Sequence, residues 1–174
     1  SESLRLEHAL APPRAQIRLA AENPAKLPVV GRLVERHRDA LVLIIGQYLA
    51  QLHVISEQLD APLITGQTPN RERDRLYEEF RRGNIRVLVV SKVGNFAVDL
   101  PDANVAIQVS GTFGSRQEEA QRLGRILRPK SDGIAARFYA IVTRHSQDQD
   151  FAANRQLFLT EQGYSYEIRD ADEI

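Results

Sequence analysis

An open, mostly parallel α/β sheet with helices on both faces is the fold class this sequence predicts, and three observations predict it. Short apolar runs rich in Val, Ile and Leu alternate with longer amphipathic stretches, and helix-start signals stand between them. A strand that is apolar at successive positions is buried on both faces, so helices must cover both sides of its sheet. A length of 174 residues fits one such domain.

Residues 1–22 show no clean period and contain Ala11, Pro12 and Pro13, so they are expected to be a connecting segment from an upstream domain. The domain proper is expected over 23–174. Asn23 followed by Pro24 forms a helix cap with proline at the first helical position, and Leu27, Val30, Leu33, Val34 and His37 follow at helical spacing. Strands are expected at 41–45, 63–65, 85–90, 105–109, 136–142 and 165–168. Helices are expected at 49–59, 69–82, 115–127 and 147–162. Thr68 is read as a cap with Pro69 at the first helical position, and Ser115 with Glu118 as a capping box. The acidic tail 170–174 is expected to fray.

Composition excludes several function classes. Hydrophobic residues make up 43% of the chain, yet no apolar run approaches the roughly 20 residues of a membrane span. Without cysteine there is no disulfide or thiolate metal site, and the four histidines are scattered rather than spaced as ligands. Net charge is zero, so any grip on nucleic acid must be local rather than a property of the whole domain. Of 23 basic residues only Lys26, Lys92 and Lys130 are lysine. That bias fits GC-rich coding, hence a bacterial cytoplasm, or selection for bidentate phosphate binding. With no methionine, the chain is expected to be a fragment or a processed piece.

In open α/β sheets ligands bind beyond the carboxyl ends of the strands. The sharpest chemistry-bearing feature is QRLGRILR, in which Gln121, Gly124, Arg125 and Arg128 fall along one helical face. Glycine inside a helix costs about 1 kcal/mol relative to alanine, which suggests a close approach to the backbone. Two arginines one turn apart can stabilise charge on a transferring phosphoryl group. A solvated helix, with these arginines paired to Glu118 and Glu119 for about 0.3 to 0.5 kcal/mol each, accounts for the same spacing.

QRLGRILR resembles the QxxGRxxR motif of superfamily two helicases, and SKVGNFAVDLPDANVAIQVS resembles the preceding motif in its XPB form. LIIGQYLAQL, ITGQTPNRERDRLYEEF, GSRQEEAQRLGR and FLTEQGYSYEI extend the likeness over all but about the first 20 residues. The resemblance implies a RecA-like fold, here the second of two motor domains in an ATP-dependent, 3′-5′ DNA repair helicase. Neither GxxxxGK[ST] nor a DExx box occurs, so it assigns the phosphate loop and the magnesium carboxylates to an upstream RecA-like domain. ATP with Mg²⁺ is thus expected in the full-length protein, with nothing tightly bound here.

To this half the resemblance assigns Arg125 and Arg128 at the γ-phosphate, Gln121 beside them near the attacking water, and Gly124 against the nucleotide. Gly94 and Asp99 are implied near the ribose or an arginine of the motor helix. A turn residue before Pro101 is the alternative for Asp99. DNA-backbone contacts are expected from Gly46 and Gln47, from Gly66 and Thr68 at a helix start, and from Ser91 and Lys92. Tyr48 is read as a partly buried tyrosine or a base-stacking one, and Arg71, Arg73 and Arg75 as a solvated face opposite Leu76 and Phe80. A duplex translocase that separates no strands, or a docking module for a repair nuclease, would use the same fold.

Overall fold

The computed structural model describes residues 2–91, 103–111, 136–161, 163 and 165–174. Their elements, in chain order, are α1 (Glu2–Leu10), α2 (Pro13–Ala21), α3 (Lys26–Arg36), β1 (Val42–Gly46), α4 (Leu49–Leu59), β2 (Leu63–Ile64), α5 (Asn70–Arg81), β3 (Val87–Ser91), β4 (Val105–Gln108), β5 (Arg137–Ala140) and α6 (Gln147–Glu161). A 3₁₀ turn at Ala171–Glu173 closes the chain. Among the described residues no helix is long and apolar enough to cross a membrane.

The five strands lie in the order β2-β3-β1-β4-β5, with every pair parallel. β1 occupies the centre, matching Gly46 with Ser91 on one side and Ile45 with Gln108 on the other. All residues of β1, β3 and β4 are buried, which is why these strands are continuous apolar runs.

Alternate residues of each strand feed opposite layers. Val42, Ile44, Val87, Val89, Val105 and Ile107 pack with Val30 and Leu33 of α3 and Leu52 and Ile55 of α4. Leu43, Ile45, Leu88, Val90 and Ala106 pack with Leu76, Tyr77 and Phe80 of α5 and Leu159 of α6. Phe80 and Ile55 are at most 1% exposed, and burial of such a side chain stabilises by about 1.5 to 3 kcal/mol. The helices that follow β1 and β2 thus lie on opposite faces, as a doubly wound sheet requires.

Several boundaries differ from expectation. Residues 1–22 show no clean period in the sequence, yet 2–10 and 13–21 form helices, the second starting at Pro13 where a missing N–H costs nothing. Asn23 and Pro24 stand ahead of the helix rather than at its start: α3 begins at Lys26 with Ala25 as its cap residue and no side-chain cap bond, and Asn23 Oδ1 accepts from the Ala25 N–H at 3.0 Å in the turn before it. Pro69 has extended ψ and is itself the cap of α5, so Thr68 does not cap forward. Its Oγ1 instead accepts from the Thr65 N–H at 2.9 Å, folding the loop back. α5 ends at Arg81, and just past its cap residue Arg82 stands Gly83, whose φ of +80° favours a residue without Cβ.

Residues 165–168 form no strand. The alternation Tyr166, Ile168 suggested one, but both side chains are exposed and Glu167 pairs with Arg169. The tail is anchored rather than frayed. Asp170 and Glu173 form a capping box, Arg144 pairs with Asp170, Arg32 Nη2 donates to Ala171 O at 2.7 Å, and Ile174 packs on the core. The expected helix 115–127 and its capping box lie outside the described residues.

Candidate functional site

The carboxyl ends of β1, β3, β4 and β5 share one edge of the sheet because every pairing is parallel. Gly46 to Tyr48 leave β1 there, Ser91 ends β3, Ser110 and Gly111 follow β4, and Thr143 follows β5. The residues expected to carry nucleotide chemistry, Gly94, Asp99, Gln121, Gly124, Arg125 and Arg128, lie outside the described residues, as does Lys92.

Of the expected DNA-contacting residues, Gly66 is exposed and Gln47 and Thr68 are half-buried. Gly46 and Ser91 are buried, so neither presents a side-chain group at the surface. Gly46 is glycine for packing: a Cβ would lie 2.6 Å from Leu52 Cδ2, 2.9 Å from Val109 Cγ2 and 3.1 Å from Ser110 Oγ. The Gln47 N–H donates to Ser110 Oγ at 2.9 Å, which ties the exit of β1 to that of β4. The 65–68 turn is closed by Thr68 N–H on Thr65 O at 3.2 Å and by Gln67 N–H on Thr65 Oγ1, also 3.2 Å.

Neither cap residue, Tyr48 of α4 nor Pro69 of α5, caps its helix start with a side chain. First-turn amides suit a phosphate. Tyr48, the cap residue of α4, is half-buried with the Arg18 guanidinium 5.9 Å above its ring. Burial and the nearby Glu22 charge raise its phenol above the usual range. Arg71, Arg73 and Arg75 lie on the outer face of α5, where Arg75 pairs with Glu72 and Arg73 hydrogen-bonds Asn70.

One feature of the edge gave no sequence signal. Lys26 is 3% exposed, with Nζ donating to Val109 O at 2.8 Å and to Asp148 Oδ2 at 2.6 Å. The same carboxylate oxygen accepts from the Thr143 N–H at 3.1 Å. Burial pushes the Lys26 amine below its ordinary value, against the opposing pull of the Asp148 charge. A lone lysine in the first turn of a helix reads as surface, and its partner is 122 residues away.

A family model described as ERCC3/RAD25/XPB C-terminal helicase matches residues 5–173. The chain is 56% identical to a DNA 3′-5′ helicase XPB of Kineococcus radiotolerans over 98% of its own length and 30% of that protein's. A protein of the same name from Mycobacterium tuberculosis is 53% identical over 100% of the chain and 32% of the relative. A helicase/translocase subunit XPB/SSL2 of general transcription and DNA repair factor IIH, from Saccharomyces cerevisiae, is 35% identical over 89% of the chain and 19% of the relative. The chain thus spans about a third or less of the curated relatives it matches. Among solved structures, the C-terminal domain of the DEAD-box protein Dbp5 superposes with a TM-score of 0.66 at 18% identity, covering 78% of this chain and 79% of that one. A DEAD-box protein from Methanococcus jannaschii gives 0.57 at 16% identity, covering 77% and 36%. These likenesses show the fold, the RecA-like C-terminal domain of helicases. With its family model matched almost from end to end and relatives more than half identical, the chain belongs to the ERCC3/RAD25/XPB C-terminal helicase family.

Proposed function

We propose that this chain is the second motor domain of an ATP-driven DNA helicase that moves 3′-5′ in DNA repair. The observation that carries the proposal is the family match over residues 5–173 to relatives bearing that name. Arg125 and Arg128 reach the γ-phosphate when the upstream domain closes, Gln121 orients the attacking water, and Gly94, Asp99 and Gly124 line the nucleotide. Positioning and charge stabilisation dominate phosphoryl transfer, so these groups suffice for this half of the site. Bound ATP supplies the phosphoryl group and its leaving group. The magnesium that accompanies ATP is assigned to carboxylates of the upstream domain, since this sequence holds no DExx box.

DNA is gripped by its backbone through Gln47, Gly66 and Thr68 at the surface, with Lys92 adding a cation and Gly46 and Ser91 shaping the loops from beneath. The starts of α4 and α5, which the side chains of Tyr48 and Pro69 do not cap, support this reading, since helix-start amides bind a phosphate without reading sequence. Arginine-rich composition and two bacterial relatives favour a bacterial cytoplasm.

The test is Arg128→Ala in the full-length protein. DNA-stimulated ATPase should collapse while DNA binding survives; a rate comparable to the parent sinks the arginine assignment and favours a docking module, for instance for a repair nuclease. The yeast relative is named helicase/translocase, which favours a second reading, duplex translocation without strand separation. Unwinding measured beside triplex displacement separates the two.

A further inference from the structure

Helix α1 is carried by the molecule without joining its core. None of its nine residues is buried, and Leu6 and Leu10, one turn apart on a shared face, are 62% and 77% exposed. Leu10, Ala11, Ala15 and Leu19 line a largely apolar trough between α1 and α2, with Glu7, Arg18 and Glu22 also in its lining. A helix this short is marginal in water on its own, and exposed leucines at one-turn spacing do nothing to hold it.

The second helix of the hairpin is nevertheless firmly placed. Thr143 Oγ1 donates to Ala20 O at 2.7 Å, Gln51 Nε2 donates to Ala21 O at 2.8 Å, and Arg18 lies over Tyr48. Tyr48 and Thr143 both belong to the carboxyl edge, so α2 is seated there, and α1 packs against α2.

We infer that the bare face of the α1–α2 hairpin, centred on Leu6 and Leu10, is the docking surface for the preceding domain of the full-length protein. The matching model is that of a C-terminal region, and the chain spans 30% and 32% of two relatives, so the bulk of such a protein precedes it. A domain closing on the carboxyl edge meets α2, on which α1 packs, as well as the loops. This rests on the two-domain reading above and adds to it a contact made by aliphatic side chains rather than by nucleotide.

Hydrogen exchange on the full-length protein tests it. Amides of residues 2–10 should exchange about tenfold more slowly in the parent than in a Leu6→Asp/Leu10→Asp variant, with core amides of β1 and β3 unchanged in both. Both substitutions are at exposed positions, so folding is retained. Equal exchange of α1 in parent and variant overturns the inference. So does protection that depends on protein concentration and accompanies a dimer in sedimentation, which assigns the face to a second copy. The Arg128→Ala ATPase is read separately: its collapse with an unprotected α1 removes the docking surface and leaves the motor, and its persistence with a protected α1 does the reverse.

Discussion

Lys26 Nζ lies 2.6 Å from Asp148 Oδ2 with only 3% and 13% of the two side chains exposed, which joins the first turn of α3 to the first turn of α6. Through Val109 O and the Thr143 N–H the pair also holds the chain where it leaves β4 and β5. Both strands end on the edge where the catalytic groups are proposed to act.

Breaking one partner of such a pair leaves a buried charge without compensation. Lys26→Met should therefore destabilise by about 3 to 5 kcal/mol in chemical denaturation. Lys26→Met with Asp148→Asn removes both charges and retains an acceptor for Thr143, so the double variant should lose less than the single substitutions summed. Additive losses would show that the two groups do not interact.

Gly46 offers a test of packing. A methyl group there meets Val109 Cγ2 at 2.9 Å, on a stiff branched side chain inside the core. Gly46→Ala should cost about 1 to 3 kcal/mol by thermal or chemical denaturation. A stability equal to the parent's would mean that β1 and α4 separate easily, and would return Gly46 to a role at the loop surface.

His37 gives a pH dependence. Its Nε2 is hydrogen-bonded with Tyr139 Oη at 2.7 Å, and burial, followed by the charges of Arg137 and Arg36, lowers its affinity for a proton below the ordinary 6.5. The unfolded chain then binds that proton first, so stability present above about pH 6.5 is lost as pH falls from there toward the lowered folded value. His37→Gln should flatten the decline of Tm between about pH 7 and pH 5 relative to the parent. An unchanged slope would assign the decline to carboxylates alone.

Most of the sheet was legible because burial on both faces writes itself into the sequence as unbroken apolar runs, and β1, β3 and β4 are such runs. α4 was legible to the residue at both ends. What failed depended on partners distant in sequence. Tyr166 and Ile168 alternate as strand residues do, yet no neighbouring strand receives them, and the acidic tail is held by Arg32 and Arg144 from elsewhere in the fold. In the site, the 65–68 turn was visible as turn chemistry although Thr68 caps no helix, whereas Lys26 and Asp148 carry meaning only once α3 and α6 are brought together. The arginine face was assigned by motif resemblance, since helical spacing alone admits a solvated helix.

Thr68 separates a structural role from a DNA contact. Its Oγ1 accepts from the Thr65 N–H, which leaves the hydroxyl proton able to donate to a phosphate oxygen. Thr68→Ala removes both interactions and should cost about 1 kcal/mol of stability together with affinity for single-stranded DNA in the full-length protein. Thr68→Ser keeps both and should match the parent. A contact to the backbone carries no base information, so the loss with alanine should be equal on two oligonucleotides of unrelated sequence, measured by fluorescence anisotropy. If alanine lowers stability and leaves both affinities unchanged, Thr68 serves the 65–68 turn alone and the DNA grip passes to Gln47 and Gly66.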